Sequence, residues 1–200
     1  MKYLSLFFFG CILISCNNNK AVYGYEPTEL VGQAYIDAYA TPDVVFNYVR
    51  INETAQTATG WLVTRDAKVY TYNTPSFEVL KKNSIASISQ LATIKDAGIL
   101  NNKSIDLEDM VEQFKRTKQA AATNYIQSNT DANATETVYW VGYDAYVEGC
   151  EAGTCPPNSQ PSESQVHLIL LKSTGAFTGE NTSNSAQQVI TWMEELNGDL

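Results

Sequence analysis

The order of segments predicts an α+β fold, with one antiparallel sheet of about five strands and helices packed on one of its faces. Segments rich in β-branched and aromatic residues fall in two blocks, residues 44–72 and 137–171. Stretches of helical spacing lie between the blocks and after the second one. Strand and helix do not alternate one for one, as they would in a parallel α/β sheet. A length of 200 residues suits one domain, and 44% apolar residues suit a globular one.

The elements follow in order. Leu30, Ala34, Ile36, Ala38 and Tyr39 are compatible with a short helix that Thr41-Pro42 ends. Val44-Val45-Phe46-Asn47-Tyr48-Val49-Arg50-Ile51 reads as a strand, and residues 52–59 as a polar loop. Residues 60–64 and 68–72 flank Arg65-Asp66-Ala67 as a hairpin, closed by Asn73-Thr74-Pro75. Phe77, Leu80, Ile85, Ile88, Leu91 and Ile94 keep a helical spacing up to Gly98, with Asn83-Ser84 as a break point. Asp106 with Asp109 is an acidic helix start, and Leu107, Met110, Val111, Phe114, Lys118, Ala121 and Tyr125 continue one face of that helix. Residues 129–136 form a polar loop. Residues 137–147 are the strongest strand, with 165–171 as its hairpin partner. Residues 175–184 read as a turn-rich connection. Ser183 or Ser185 then caps a last helix through Val189, Ile190, Met193 and Leu196, ended by Gly198.

Charge excludes some functions. With 13 Lys+Arg against 22 Asp+Glu the net charge is −9, which argues against a nucleic-acid partner. No P-loop, G-x-G-x-x-G, EF-hand or G-x-S-x-G motif is present. His167, the single histidine, sits within a strand pattern and reads as a polar-face residue, so no catalytic residue is assigned. Glu108, Asp109 and Glu112 cluster at a helix start, where acids complement the helix dipole; no metal site and no cofactor is expected. Aromatic residues offer a binding idea. Tyr139 and Tyr143 point one way from their strand while Trp140 and Tyr146 point the other. Unless the sheet is covered on both sides, one of these sets is exposed and suits a glycan or peptide ligand, with Trp61, Tyr70 and Tyr72 nearby on the first hairpin. The competing reading is cross-strand packing.

The N-terminus is more specific. Met1-Lys2 precedes an apolar run from Tyr3 to Ile14 that falls short of the roughly 20 residues a spanning helix needs. It ends in Leu13-Ile14-Ser15-Cys16, which resembles the lipobox of bacterial lipoproteins. The resemblance implies residues 1–15 as a signal peptide, cleavage before Cys16, and lipidation of Cys16 with acyl chains such as palmitate. Residues 16–27 then form a lipidated flexible tether, and residues 28–200 a single α+β domain. Stable anchoring takes more than one acyl chain, which such a cysteine carries. The alternatives are a plain signal peptide and an uncleaved anchor. Asparagine-rich, arginine-poor usage, with only Arg50, Arg65 and Arg116, looks like Bacteroidota. Asn17 is not the Asp of inner-membrane retention, and no acidic cluster precedes Glu26. An outer-membrane anchor facing the periplasm is therefore expected, with a cell-surface location second. The segment Leu170-Leu171-Lys172-Ser173-Thr174-Gly175, with Asn181, Ala186 and Trp192, is similar to small envelope lipoproteins of that kind and implies no activity.

An exported chain permits disulfides. With Cys11 in the signal peptide and Cys16 lipidated, Cys150 and Cys155 remain to pair. Gly149 and Gly153 allow the tight loop and Pro156-Pro157 stiffens its exit. Closing so short a loop contributes about 2 kcal/mol in the entropy model. A redox pair or half a metal site are the other readings. The spacing is longer than C-x-x-C, and zinc needs two further ligands. The expected function is that of a non-catalytic, membrane-anchored envelope lipoprotein, an accessory or interaction component with an envelope protein partner. The alternative is a glycan- or peptide-binding lipoprotein using an aromatic sheet face.

Overall fold

The structure is a computed structural model and describes residues 31–39, 43–75, 85–120, 124–146 and 165–200. Helix α1 (Gly32–Tyr39) precedes an antiparallel meander of β1 (Val44–Asn52), β2 (Thr57–Thr64) and β3 (Lys68–Pro75). Next come β4 (Ile85–Ser87), α2 (Ile88–Asp96), β5 (Ile99–Ser104) and α3 (Leu107–Gln119). Then follow β6 (Tyr125–Thr130), β7 (Glu136–Tyr146), β8 (Gln165–Gly175), β9 (Phe177–Asn181) and α4 (Asn184–Gly198). The fold is α+β with one antiparallel sheet. Eight strands run in the order β5-β3-β2-β1-β7-β8-β9-β6, and the short β4 is a ninth that pairs with the start of β8.

An expectation of about five strands is thus too low. The five strands expected from sequence are β1, β2, β3, β7 and β8, and they are contiguous in the middle of the sheet, joined by pairing of β1 with β7. The missed strands β5, β6 and β9 lie outside them. β5 and β6 are exposed or half-buried along their whole length, so their residues carry no apolar alternation. Ile-Leu-Asn-Asn-Lys-Ser and Tyr-Ile-Gln-Ser-Asn-Thr therefore give no strand pattern in sequence. The helix expected to reach Tyr125 stops at Gln119, and Tyr125 opens β6. The start of the helix expected from Phe77 lies outside the described residues; the helix present there is α2.

Helices also occupy both faces, not one. α1, α3 and α4 bring Ile36, Met110, Phe114, Val189 and Met193 onto Phe46, Tyr48, Trp61, Trp140 and Leu171; this is the helix face. α2 brings Ile94 onto the opposite face, with Val49, Leu62, Tyr139, Val141 and Tyr143. Every position of β1 from Val44 to Val49 is buried in consequence. The near-continuous apolar run of that strand is the pattern of a strand covered on both sides.

Local chemistry fixes the helices. The Asp106 carboxylate accepts from the Asp109 amide at 2.9 Å, and the Ser183 hydroxyl accepts from the Ala186 amide at 3.3 Å. α3 comes close to the sheet at Gly142 of β7, where a Cβ would overlap the Thr117 methyl. Only a glycine there lets the helix seat.

Candidate functional site

Two groups of polar and aromatic side chains lie on the central strands, one on each face. On the helix face a single row crosses four strands. Tyr48 lies opposite Trp61 of β2 and Trp140 of β7, and Trp140 lies opposite Lys172 of β8. Tyr48 and Trp61 stack with centroids 5.6 Å apart, and Trp140 meets Tyr48 edge-on at 5.2 Å. The Lys172 ammonium sits 5.1 Å from the Trp140 ring centroid and pairs with Glu194 of α4 at 2.5 Å. Asn197 of α4 accepts from the Trp61 indole at 3.0 Å. The end of α4 therefore closes over the row. The Trp140 indole N–H has no hydrogen-bond partner among the described residues.

The second group is polar and buried on the opposite face. Tyr72 stands on β3, and its hydroxyl must cross β2 to reach β1. It does so over Gly60, where a Cβ would lie 3.0 Å from that hydroxyl. The Tyr72 hydroxyl donates to Asn47 Oδ1 at 2.7 Å, and Asn47 Nδ2 donates to the Tyr143 hydroxyl at 3.3 Å. Burial raises both phenols above their ordinary value. For Tyr72 the neighbouring Tyr143 adds to the rise, while the Asn47 hydrogen bond opposes it. Neutral phenols held by an amide do not abstract protons or attack near neutral pH, and the two hydrogen bonds to Asn47 tie β3, β1 and β7 together.

A pH dependence follows. In the unfolded chain both phenols ionise near pH 10, whereas in the folded chain they stay protonated to higher pH. Their contribution is fully present below pH 10 and falls above it by about 1.4 kcal/mol per pH unit for each phenol. Alkaline titration is expected to show Tyr72 and Tyr143 ionising together with loss of tertiary structure, in one cooperative step of tyrosinate absorbance. Ionisation of both near pH 10 with the fold intact would contradict their burial.

The residues singled out in sequence fall as follows. Tyr139 is 8% exposed, Trp140 8% and Tyr143 0%, so these three are packing residues and do not form an exposed aromatic platform. The physical reason is cover on both faces of the sheet. The side chains of Tyr146 and His167 lie outside the described residues, as do Cys16, Cys150, Cys155 and the residues expected as signal peptide and tether, 1–15 and 16–27. Asp109 accepts from the Trp192 indole at 2.8 Å and from Gln113 at 3.0 Å, and Glu112 pairs with Arg116 at 3.4 Å. No group of His, Cys, Asp or Glu able to hold a metal occurs among the described residues. Sequence reading missed Asn47, whose signal was the one amide within the apolar run Val44 to Val49. No protein family, curated protein or solved structure matches this chain.

Proposed function

We propose that the chain is a non-catalytic envelope lipoprotein, held at the outer membrane by acyl chains on Cys16 and facing the periplasm, where it serves as an accessory or interaction component. One observation carries this reading: Leu13-Ile14-Ser15-Cys16 at the end of a short apolar run that begins after Lys2. Cleavage before Cys16 removes Lys2 and no acid, which takes the net charge from −9 to −10. Anionic lipid repels such a body, so the acyl chains must supply the membrane affinity. No helix among the described residues is long and apolar enough to cross a membrane. In the same reading Cys150 and Cys155 pair as a structural disulfide, and the polypeptide from Asn17 to Pro27 spaces the domain from the bilayer.

Replacement of the thiol tests it. Cys16→Ser is expected to abolish the acyl mass and the cleavage together, so that the chain recovered has the mass of residues 1–200 instead of that of a lipidated chain beginning at Cys16. A Cys16→Ser chain that stays membrane-bound at unchanged mass would refute lipidation at this position.

A further inference from the structure

We propose that two copies of this chain associate through β5, each strand pairing antiparallel with its counterpart about a two-fold axis normal to the sheet. β5 ends the strand path, and its outer side has no strand beside it among the described residues. Its first two residues are large, apolar and open to solvent: Ile99 is 75% exposed and Leu100 53%. Successive strand residues point to opposite faces, so this end of the sheet is open on both. Ile99 lies on the helix face, in register with Thr71 and Trp61, and Leu100 on the other, in register with Tyr70 and Leu62. An open strand edge with exposed apolar residues is a template for a further strand.

Geometry and charge select a second copy as that strand. All neighbours in the path of eight strands are antiparallel. A two-fold axis normal to the sheet keeps that alternation and returns helix face to helix face. Centred on Ile99, the more exposed of the two residues, the axis sets Ile99 against Ile99 of the other copy, and each covers the other. The edge is also self-complementary in charge. Residues 97–105 contain no Asp or Glu, in a chain that has 22 of them, so no acid of one strand faces an acid of the other. Asp96 precedes this stretch, is exposed, and forms no ion pair among the described residues. Lys103 lies near the far end, where it holds Asp199 of its own copy at 2.5 Å. Antiparallel pairing carries Asp96 of each copy toward Lys103 of the other, so opposite charges approach at both ends of the seam.

The seam is short. The register of β5 on β3 shifts between Lys68 and Tyr70, and the Lys103 amide donates to Asn101 Oδ1 of its own strand at 2.8 Å. Regular pairing is confined to the residues around Ile99 and Leu100. So small a contact falls below the roughly 1,200 Å² of a stable interface, and the dimer is accordingly weak and concentration-dependent. Because one patch meets itself, the contact is isologous and closes at two copies. It does not depend on lipidation of Cys16.

Sedimentation velocity of the purified full chain, in one detergent and at rising concentration, tests the contact. Wild type is expected to pass from monomer to dimer. Ile99→Lys sets two ammonium groups against each other at the centre of the seam, so this variant is expected to stay monomeric with an unchanged circular dichroism spectrum. Ile126→Lys, on the strand at the other end of the path, is expected to dimerise as wild type does. Cross-linking reads the register. On mild oxidation Ile99→Cys is expected to give a covalent dimer through residue 99, because residues directly opposite in an antiparallel pair lie about 5 Å apart. Asn102→Cys is expected to give none through residue 102, because a step of three residues from the axis counts twice and separates the two copies of that residue by about 20 Å. The proposal is overturned if wild type remains monomeric up to about 0.5 mM or forms species larger than a dimer. It is overturned equally if Ile99→Lys dimerises, if Ile126→Lys stays monomeric, or if residue 102 cross-links as readily as residue 99.

Discussion

Phe46→Ala is expected to lower stability by about 3–5 kcal/mol, a large part of the roughly 5–15 kcal/mol available to a domain. Phe46 is fully buried on the helix face. Its ring lies 5.0 Å from Trp192 of α4, and its strand neighbours are Val63 and Gly142. Gly142 has no side chain to fill the space that the ring would leave. The cavity would also loosen the seat of α4, which reaches the sheet through Val189 and Met193 beside it. Urea unfolding is the measurement: the midpoint should fall with an unchanged slope. A loss below about 1 kcal/mol would be too small for a ring fully buried in the core.

Gly142→Ala is expected to cost about 1–3 kcal/mol by overpacking, although it adds a single methyl group. The new Cβ would overlap the Thr117 methyl, while the remaining Thr117 side-chain atoms lie at 3.4 Å, an ordinary contact distance. Thr117 is fully buried, and its hydroxyl already donates to the Gln113 carbonyl at 3.0 Å, so it has little freedom to turn away. Thr117→Ala removes the overlapping methyl. In the double variant Gly142→Ala with Thr117→Ala, the loss is therefore expected to be smaller than the sum of the single losses, by about 0.5–3 kcal/mol of coupling. Additive losses would mean that α3 does not press on β7 at this point.

The central strands were legible because burial leaves a trace in sequence. Val44 to Val49, Trp61 to Val63, and Val138 to Val141 are β-branched or aromatic at nearly every position, as strands covered on both faces must be. The cap Asp106, and Ser183 as one of two candidate serines, were legible for a local reason, since each needs only its own next three residues. The outer strands were not. Asn102 and Ser104 in β5, and Gln127 to Asn129 in β6, are exposed, and a strand at the rim of the sheet asks nothing particular of them. What makes them strands is the partner across the ladder, Tyr70 and Thr71 for β5 or Gly179 and Glu180 for β6, and that partner is remote in sequence.

The aromatic rows show the same division. Alternation correctly sorted Tyr139 and Tyr143 from Trp140, since the first two lie with Val141 and the third with Tyr48. Which set was covered depended on α2 and on the end of α4, whose positions no local pattern encodes. The Asn47 amide linking Tyr72 and Tyr143 is likewise a contact among three strands, two of them far apart in sequence. It also explains why these tyrosines tolerate burial: their hydroxyls find an amide instead of water.

The functional reading stands on the residues before the folded domain, and the intact mass of the chain extracted from membranes tests it most directly. The expected result is a polypeptide that begins at Cys16, carries added acyl mass on that residue and has lost residues 1–15. An unmodified chain beginning at Met1 and recovered from soluble cytosol would contradict it.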